Sequence, residues 1–137
     1  MGIADRRIED SNLVQAMEKL TPQKIRAAFD AVVKAEAGAR LKAYYDSCMR
    51  CGMCAQACHF SLSHPDDPSY TPIAKKDQTM WRLIRTDGNV PPEEVYGMAQ
   101  IAFTECNMCK RCAHYCPVVI DTGYITSLVR RFCFKLG

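Results

Sequence analysis

The 137-residue sequence predicts an all-α fold. Three observations carry that expectation. Apolar residues recur at three- and four-residue intervals through most of the chain. Thr21-Pro22, Pro91-Pro92 and Asp121 stand where helices would begin, and no stretch alternates apolar with polar residues far enough to make a convincing strand. The length suits one domain, or one domain with a helical appendage, and a modest core.

Taken in order, Asp10 to Leu20 reads as a short helix with Leu13, Val14 and Met17 on one side. Thr21 is an N-cap and Pro22 the first helical residue, because a threonine oxygen can accept from a free helix-start amide and proline has no amide to leave unpaired. The apolar set Ile25, Ala28, Phe29, Val32, Ala39 and Ala43 then keeps a helical period toward Tyr44. Phe60 to Tyr70, rich in Ser, Pro and Asp, reads as a loop. Ile73 to Arg85 reads as one helix, with Ile73, Met80, Trp81 and Ile84 sharing a face. Asp87-Gly88-Asn89 turns the chain, and Pro91-Pro92-Glu93-Glu94 opens a helix to about Thr104 with Val95, Ala99, Ala102 and Phe103 inward. A last helix follows Asp121, from about Thr122 to Lys135.

Eight of the nine cysteines form two copies of C-x2-C-x2-C-x3-C: Cys48, Cys51, Cys54, Cys58, and Cys106, Cys109, Cys112, Cys116, the second followed by Pro117. This spacing holds two [4Fe-4S] clusters, the fourth cysteine of each run ligating the other cluster. Three closely spaced thiolates converge on one cubane while the fourth, four residues on, faces away. The expected sets are therefore Cys48, Cys51, Cys54 and Cys116 for one cluster, and Cys106, Cys109, Cys112 and Cys58 for the other. Such crossing ties distant segments into one unit, so each cluster would also act as a staple.

Other uses of cysteine fit less well. A zinc-binding module usually draws two C-x2-C knuckles a dozen or more residues apart, without a third and fourth cysteine directly behind each pair. A disulfide framework needs an oxidising compartment, and Met1 to Leu20, with Asp5, Arg6, Arg7, Glu9 and Asp10, does not read as a signal peptide. Cys133 sits among Ile125, Leu128, Val129 and Phe132 at helical spacing and reads as a small buried hydrophobe.

The formal net charge of +3 counts the thiols as neutral. Two oxidised clusters of about −2 each would bring the protein near neutrality, so the basic excess reads as compensation for cluster charge and not as a nucleic-acid footprint. Arg50, Lys110 and Arg111, inside the cysteine runs, are candidates for that role, or ordinary solvated charges. His59 is a candidate for a hydrogen bond near a cluster or for packing; with four cysteines in each run it is not needed as a ligand. His64 and His114 lack ligand spacing, and Trp81, Tyr44, Tyr45 and Tyr115 are candidates for shielding clusters from water.

The long helical connection between the two runs, residues 59–105, sets the chain apart from small ferredoxins built around hairpins. With Cys48-Met49-Arg50-Cys51-Gly52-Met53-Cys54, Cys58-His59, Tyr70-Thr71-Pro72, Trp81-Arg82 and Cys106-Asn107-Met108-Cys109-Lys110-Arg111-Cys112 through Cys116-Pro117, it resembles the α-helical ferredoxin family. Within that family the chain is most similar to the dicluster iron-sulfur component of heterodisulfide reductase and to the dicluster domains of iron-sulfur proteins in sulfate-reducer membrane complexes. His59 departs from the proline usual after the fourth cysteine. The resemblance, from about Tyr44 to Phe132, implies an α-helical ferredoxin domain over 47–137 behind an N-terminal helical extension over 1–46. The helices from Ile8 to Tyr44 become candidate docking surfaces.

It also implies an electron-transfer subunit of a heterodisulfide reductase-like oxidoreductase, relaying electrons between partners such as a flavoprotein, a CCG-domain subunit or a membrane cytochrome. The alternative is the N-terminal part of a longer enzyme with CCG domains. No nucleophile with a base, Gly-rich phosphate loop or dinucleotide fingerprint is present, so no catalytic residue is expected in the chain itself. No apolar stretch approaches a membrane span, so any membrane contact is expected to run through partners, with the chain itself expected in the cytoplasm.

Overall fold

The computed structural model describes residues 10–137; Asp5, Arg6, Arg7, Ile8 and Glu9 lie outside the described residues. Nine α-helices account for most of the described chain, and no strand occurs among those residues. Helix α1 spans Ser11–Glu18, with Asp10 as its N-cap accepting from the Asn12 amide at 2.8 Å. Helix α2, Pro22–Phe29, begins as its sequence dictates: Thr21 Oγ1 accepts from the Lys24 amide, and Pro22 opens the first turn.

The chain stays helical through a π-turn, Asp30–Lys34, into α3, Ala35–Ser47. A π-turn adds one residue to the helical register, so the apolar face moves by one position. Ile25, Ala28, Phe29 and Val32 are buried before the shift, and Val33, Ala37 and Leu41 after it. Ala39 and Ala43, expected inward from an unbroken period, are exposed. Tyr44 and Cys48 instead pack against the core, so the inserted residue sets the angle at which the first cysteine loop begins.

The expected loop from Phe60 to Tyr70 is partly helical, with α4 over His59–Ser63 and a 3-10 turn over Pro68–Tyr70. The single helix expected from Ile73 to Arg85 is two: α5, Pro72–Gln78, and α6, Met80–Arg85. They part at Thr79 (φ −116°, ψ −102°), whose hydroxyl donates to the Lys75 carbonyl at 2.6 Å. The break turns Met80, Trp81 and Leu83 into the interior, while Ile73 and Ile84 are only partly buried.

Helix α7, Pro92–Thr104, buries Val95, Met98, Ile101 and Ala102. Phe103, expected inward, is 44% exposed and meets Phe134 edge to face. Helix α9, Thr122–Leu136, is capped by Asp121, which accepts from the Tyr124 amide at 2.9 Å. Its buried stripe, Ile125, Leu128, Val129 and Phe132, packs against α2, α6 and α7. One core therefore draws on helices from both sides of residue 46. It holds the cysteine loops on the ends of α3, α7 and α9.

Candidate metal centre

Each cysteine run folds the same way. The first two intervals form an irregular loop, and the three residues before the fourth cysteine complete a helical turn: the 3-10 turn Met53–Ala57 in the first run, and the short helix α8, Arg111–His114, in the second. In both, the fourth cysteine's amide donates three residues back at 3.2 Å, Cys58 to Ala55 and Cys116 to Ala113. The turn swings the fourth cysteine away from the three before it. The two turns pack against each other, so each run presents its fourth cysteine to the other's loop.

Two hollows result. Cys48, Cys51, Cys54 and Cys116 line one, with about 300 Å³ not filled by atoms. Cys58, Cys106, Cys109 and Cys112 line the other, with about 360 Å³. All eight sequence-predicted cysteines are brought together in the expected two sets. Of the third cysteines, Cys54 is buried and Cys112 partly buried. Burial pushes both thiols up, opposed by Lys76 at Cys54 and by a hydrogen bond with Thr122 at Cys112. Charge on Cys54 also reaches Cys112, which puts the hollows side by side.

The loop backbones share an unusual conformation. Arg50 and Gly52 flank the second cysteine of the first run at φ 55° and 80°, and Met108 and Lys110 flank that of the second at φ 57° and 63°. Left-handed residues between ordinary ones turn successive amides toward one point, which makes a concavity suited to negative charge. Gly52 is the one glycine of the four and the only one whose type announces the conformation.

The sequence suggested only part of the site's positive charge: Arg50 and Lys110 line the hollows, each paired with a carboxylate. Arg50 is tied to Asp77, where burial alone would push the carboxyl up but hydrogen bonds from Arg50 and Arg85 outweigh it and hold it below the ordinary range. Lys110 reaches Asp121 at 3.2 Å, and Arg111 is exposed. Lys75 and Lys76, only 4% and 3% exposed, were missed. Lys75 lines the Cys58 hollow; its Nζ donates to the Glu105 carbonyl at 2.5 Å and stands 3.9 Å from Cys58 Sγ. Lys76 lines the Cys48 hollow, with its Nζ 4.8 Å from the centre of the Trp81 ring. A signal existed: both lie three residues beyond Pro72 and Ile73, on the face that meets the cysteines.

Helix α9 supports the second loop. Thr126 Oγ1 lies 3.4 Å from Cys106 Sγ, and Arg130 donates to the carbonyls of Ala102 and Cys106 at 2.9 and 2.7 Å. His59 opens α4 beside the second hollow with its ring against Phe60, and His64 stacks on Tyr70, with the exposed His114 apart from both. Trp81 is buried against Tyr45, whereas Tyr115 is 51% exposed and shields little. Tyr44 accepts from Arg40. Cys133 is partly buried and packs on the core, away from both hollows, with its thiol pushed up to about 12 by burial.

The chemistry of each hollow fits an iron-sulfur cubane. Four soft thiol donors surround a space, and a buried ammonium and left-handed backbone face the negative charge a cluster brings. Among the described residues no three His, Cys, Asp or Glu side chains stand close enough to hold one metal ion. A structural zinc site closes tightly around its ion, whereas these rings stand apart around a larger space.

Comparison with known proteins agrees with that chemistry. Residues 44–120 match a family described as a 4Fe-4S dicluster domain. An Hdr-like menaquinol oxidoreductase iron-sulfur subunit of Archaeoglobus profundus is 29% identical over 113 residues, covering 70% of this chain and 19% of the relative. Iron-sulfur subunit 2 of the same kind from Archaeoglobus fulgidus is 29% identical over 109 residues, with the same two coverages. The chain thus spans about a fifth of the length of these curated relatives. No solved structure matches it.

Proposed function

Because the chain belongs to the 4Fe-4S dicluster domain family, we propose that it is the electron-relaying part of a heterodisulfide reductase-like oxidoreductase, passing single electrons through its two [4Fe-4S] clusters between redox partners. The observation that carries this reading is the pair of adjoining four-cysteine hollows, each built from both cysteine runs. Cys48, Cys51, Cys54 and Cys116 would hold one cluster, and Cys106, Cys109, Cys112 and Cys58 the other. The clusters, when bound, supply reversible one-electron storage. The chain's own residues bind them, keep them adjacent, exclude water with the core behind Cys54 and Cys112, and set positive charge beside them.

The relatives, named as iron-sulfur subunits of Hdr-like menaquinol oxidoreductases, support a redox complex as the setting. In a complex of that kind the chain would receive electrons from one subunit and hand them to another, with a flavoprotein, a membrane cytochrome and a CCG-domain subunit as the candidate neighbours. Among the described residues no helix is long and apolar enough to cross a membrane. We therefore assign membrane contact, in such a complex, to the partner subunits. The described helices of the first 46 residues, α1 and the α2–α3 unit, are our candidates for the docking face.

Anaerobic purification tests the reading. About eight irons and eight sulfides per chain, a brown colour and EPR signals of reduced cubanes are expected; a colourless protein with two zincs would overturn it. The relatives' greater length favours a second reading, in which this region is the N-terminal relay of a longer enzyme with CCG domains. Sequencing the gene past the codon for Gly137 separates the two.

A further inference from the structure

We infer that Lys75 and Lys76 set the reduction potentials of the two clusters, one lysine to each, and that this makes the cluster in the Cys48 hollow the easier to reduce. The inference rests on the relay reading above. Long basic side chains are almost never fully buried without a reason, and here two successive residues of one helix are. Their ammonium groups diverge. Lys75 is fixed by the Glu105 carbonyl and the Phe60 ring beside Cys58, and Lys76 lies over Trp81 at the wall formed by Cys54.

A one-electron reductant adds one negative charge to a cluster, and neither bond nor proton at the lysine need change. An ammonium held in a site of low dielectric stabilises that added charge and draws the potential upward. Because the two positive charges are fixed in different hollows, each acts mainly on its own cluster.

The surroundings are unequal. Glu105, buried at 4% exposure, lines the Lys75 hollow and opposes part of that ammonium's field. Among the described residues no acidic side chain lines the Lys76 hollow, and each hollow has one further cation tied to a carboxylate, Arg50 to Asp77 in this one and Lys110 to Asp121 in the other. Electrons distributed between the two clusters would settle on the Cys48 side.

Potentiometric EPR titration of the holoprotein tests this. Cys51→Ser and Cys109→Ser, each confined to one hollow, identify which signal belongs to which cluster. Lys75→Gln keeps a donor for the Glu105 carbonyl but loses the charge, and Lys76→Gln removes the other charge. Each should lower the reduction equilibrium of its own cluster at least tenfold, which is 59 mV for one electron, and leave the other cluster's signal within a few-fold. Lys75→Arg and Lys76→Arg should stay near wild type. In the wild type the higher potential should belong to the signal that Lys76→Gln moves.

Glutamine variants that shift neither cluster, or both together, would overturn the assignment. So would glutamine variants that lose their clusters while the arginine variants keep them, since the lysines would then serve assembly. A lower wild-type potential on the Cys48 side would overturn the ordering. Wild-type protein without two cubane signals would instead sink the relay reading itself, and is seen before any variant is made.

Discussion

Lys110 stands in the second cysteine loop where Gly52 stands in the first, and both hold a left-handed backbone, at φ 63° and 80°. For a residue with a Cβ that conformation costs about 1–2 kcal/mol. Lys110 is kept there by its ion pair with Asp121 and by contact with Gly123, where any added Cβ would lie 3.0 Å from Lys110 Cγ. At Gly52 nothing stands within 4 Å of the place a Cβ would take. Gly52→Ala is therefore expected to cost about 1 kcal/mol through backbone strain alone. Lys110→Gly should come out near neutral, relief of strain offsetting a partly exposed ion pair worth about 0–1 kcal/mol. Thermal unfolding of the holoprotein under argon checks both; an unchanged Tm in Gly52→Ala would remove strain from the account.

Cys58 lines the hollow of the second run, and Cys116 that of the first. Cys58→Ser should therefore alter the EPR signal that Cys109→Ser also alters, and Cys116→Ser the one that Cys51→Ser alters. Uncrossed ligation predicts the opposite pairing. In either variant, removing the cluster with a chelator should unfold the region between the runs, because under crossed ligation each cluster would bridge both of them; circular dichroism at 222 nm follows that loss.

Removing the extra residue of the π-turn, for example by deleting Ala31, should restore an unbroken α-helical period through Asp30–Lys34. Val33 would then take the place of Val32, and Ala37 and Leu41 would stay on the inward face. The deletion should thus cost about the burial of one valine, on the order of 1.5–3 kcal/mol in denaturant unfolding. Leu41→Ala, which truncates a side chain now 1% exposed, should cost about 2–5 kcal/mol. A deletion costlier than Leu41→Ala would show that the face beyond the π-turn had moved.

Cys133 gives a pH prediction away from the clusters. Burial raises its thiol from 9.0 to about 12, so the folded state holds the proton more tightly than the unfolded chain. Its contribution to stability is complete below about pH 9 and is lost as pH rises from there toward 12, with a slope of up to about 1.4 kcal/mol per pH unit. Cys133→Ala should lack that component. At pH 9 iodoacetamide should label the folded protein on the order of a thousandfold more slowly than the unfolded one at this position. Rapid labelling of native protein, read by mass spectrometry, would contradict the burial.

Much of this was legible from the residues. Caps are local, so Thr21, Pro92 and Asp121 mark their helix starts in the sequence, and the cysteines that line the two hollows are the eight of the repeated spacing. The two misread helices failed for the same reason. A periodicity argument assumes a constant number of residues per turn, and neither the extra residue at Asp30–Lys34 nor the break at Thr79 leaves a mark in the pattern of apolar residues. Lys75 and Lys76 escape a sequence reading because lysine is ordinarily a surface residue, and their three-residue spacing from Pro72 and Ile73 gains meaning only once the fold sets α5 against the cysteines. The left-handed Arg50, Met108 and Lys110 are invisible for a similar reason, since nothing in their side chains favours that backbone.

The hollow that begins at Cys48 closes only with Cys116. On a ribosome, the first three of its thiols emerge well before the fourth, and the connecting helices emerge in between. A cluster delivered early would find an incomplete ring, exposed to oxygen and to rival metals. Cluster delivery should therefore act on a chain already made as far as Cys116, and a stalled or truncated product should hold neither cluster stably.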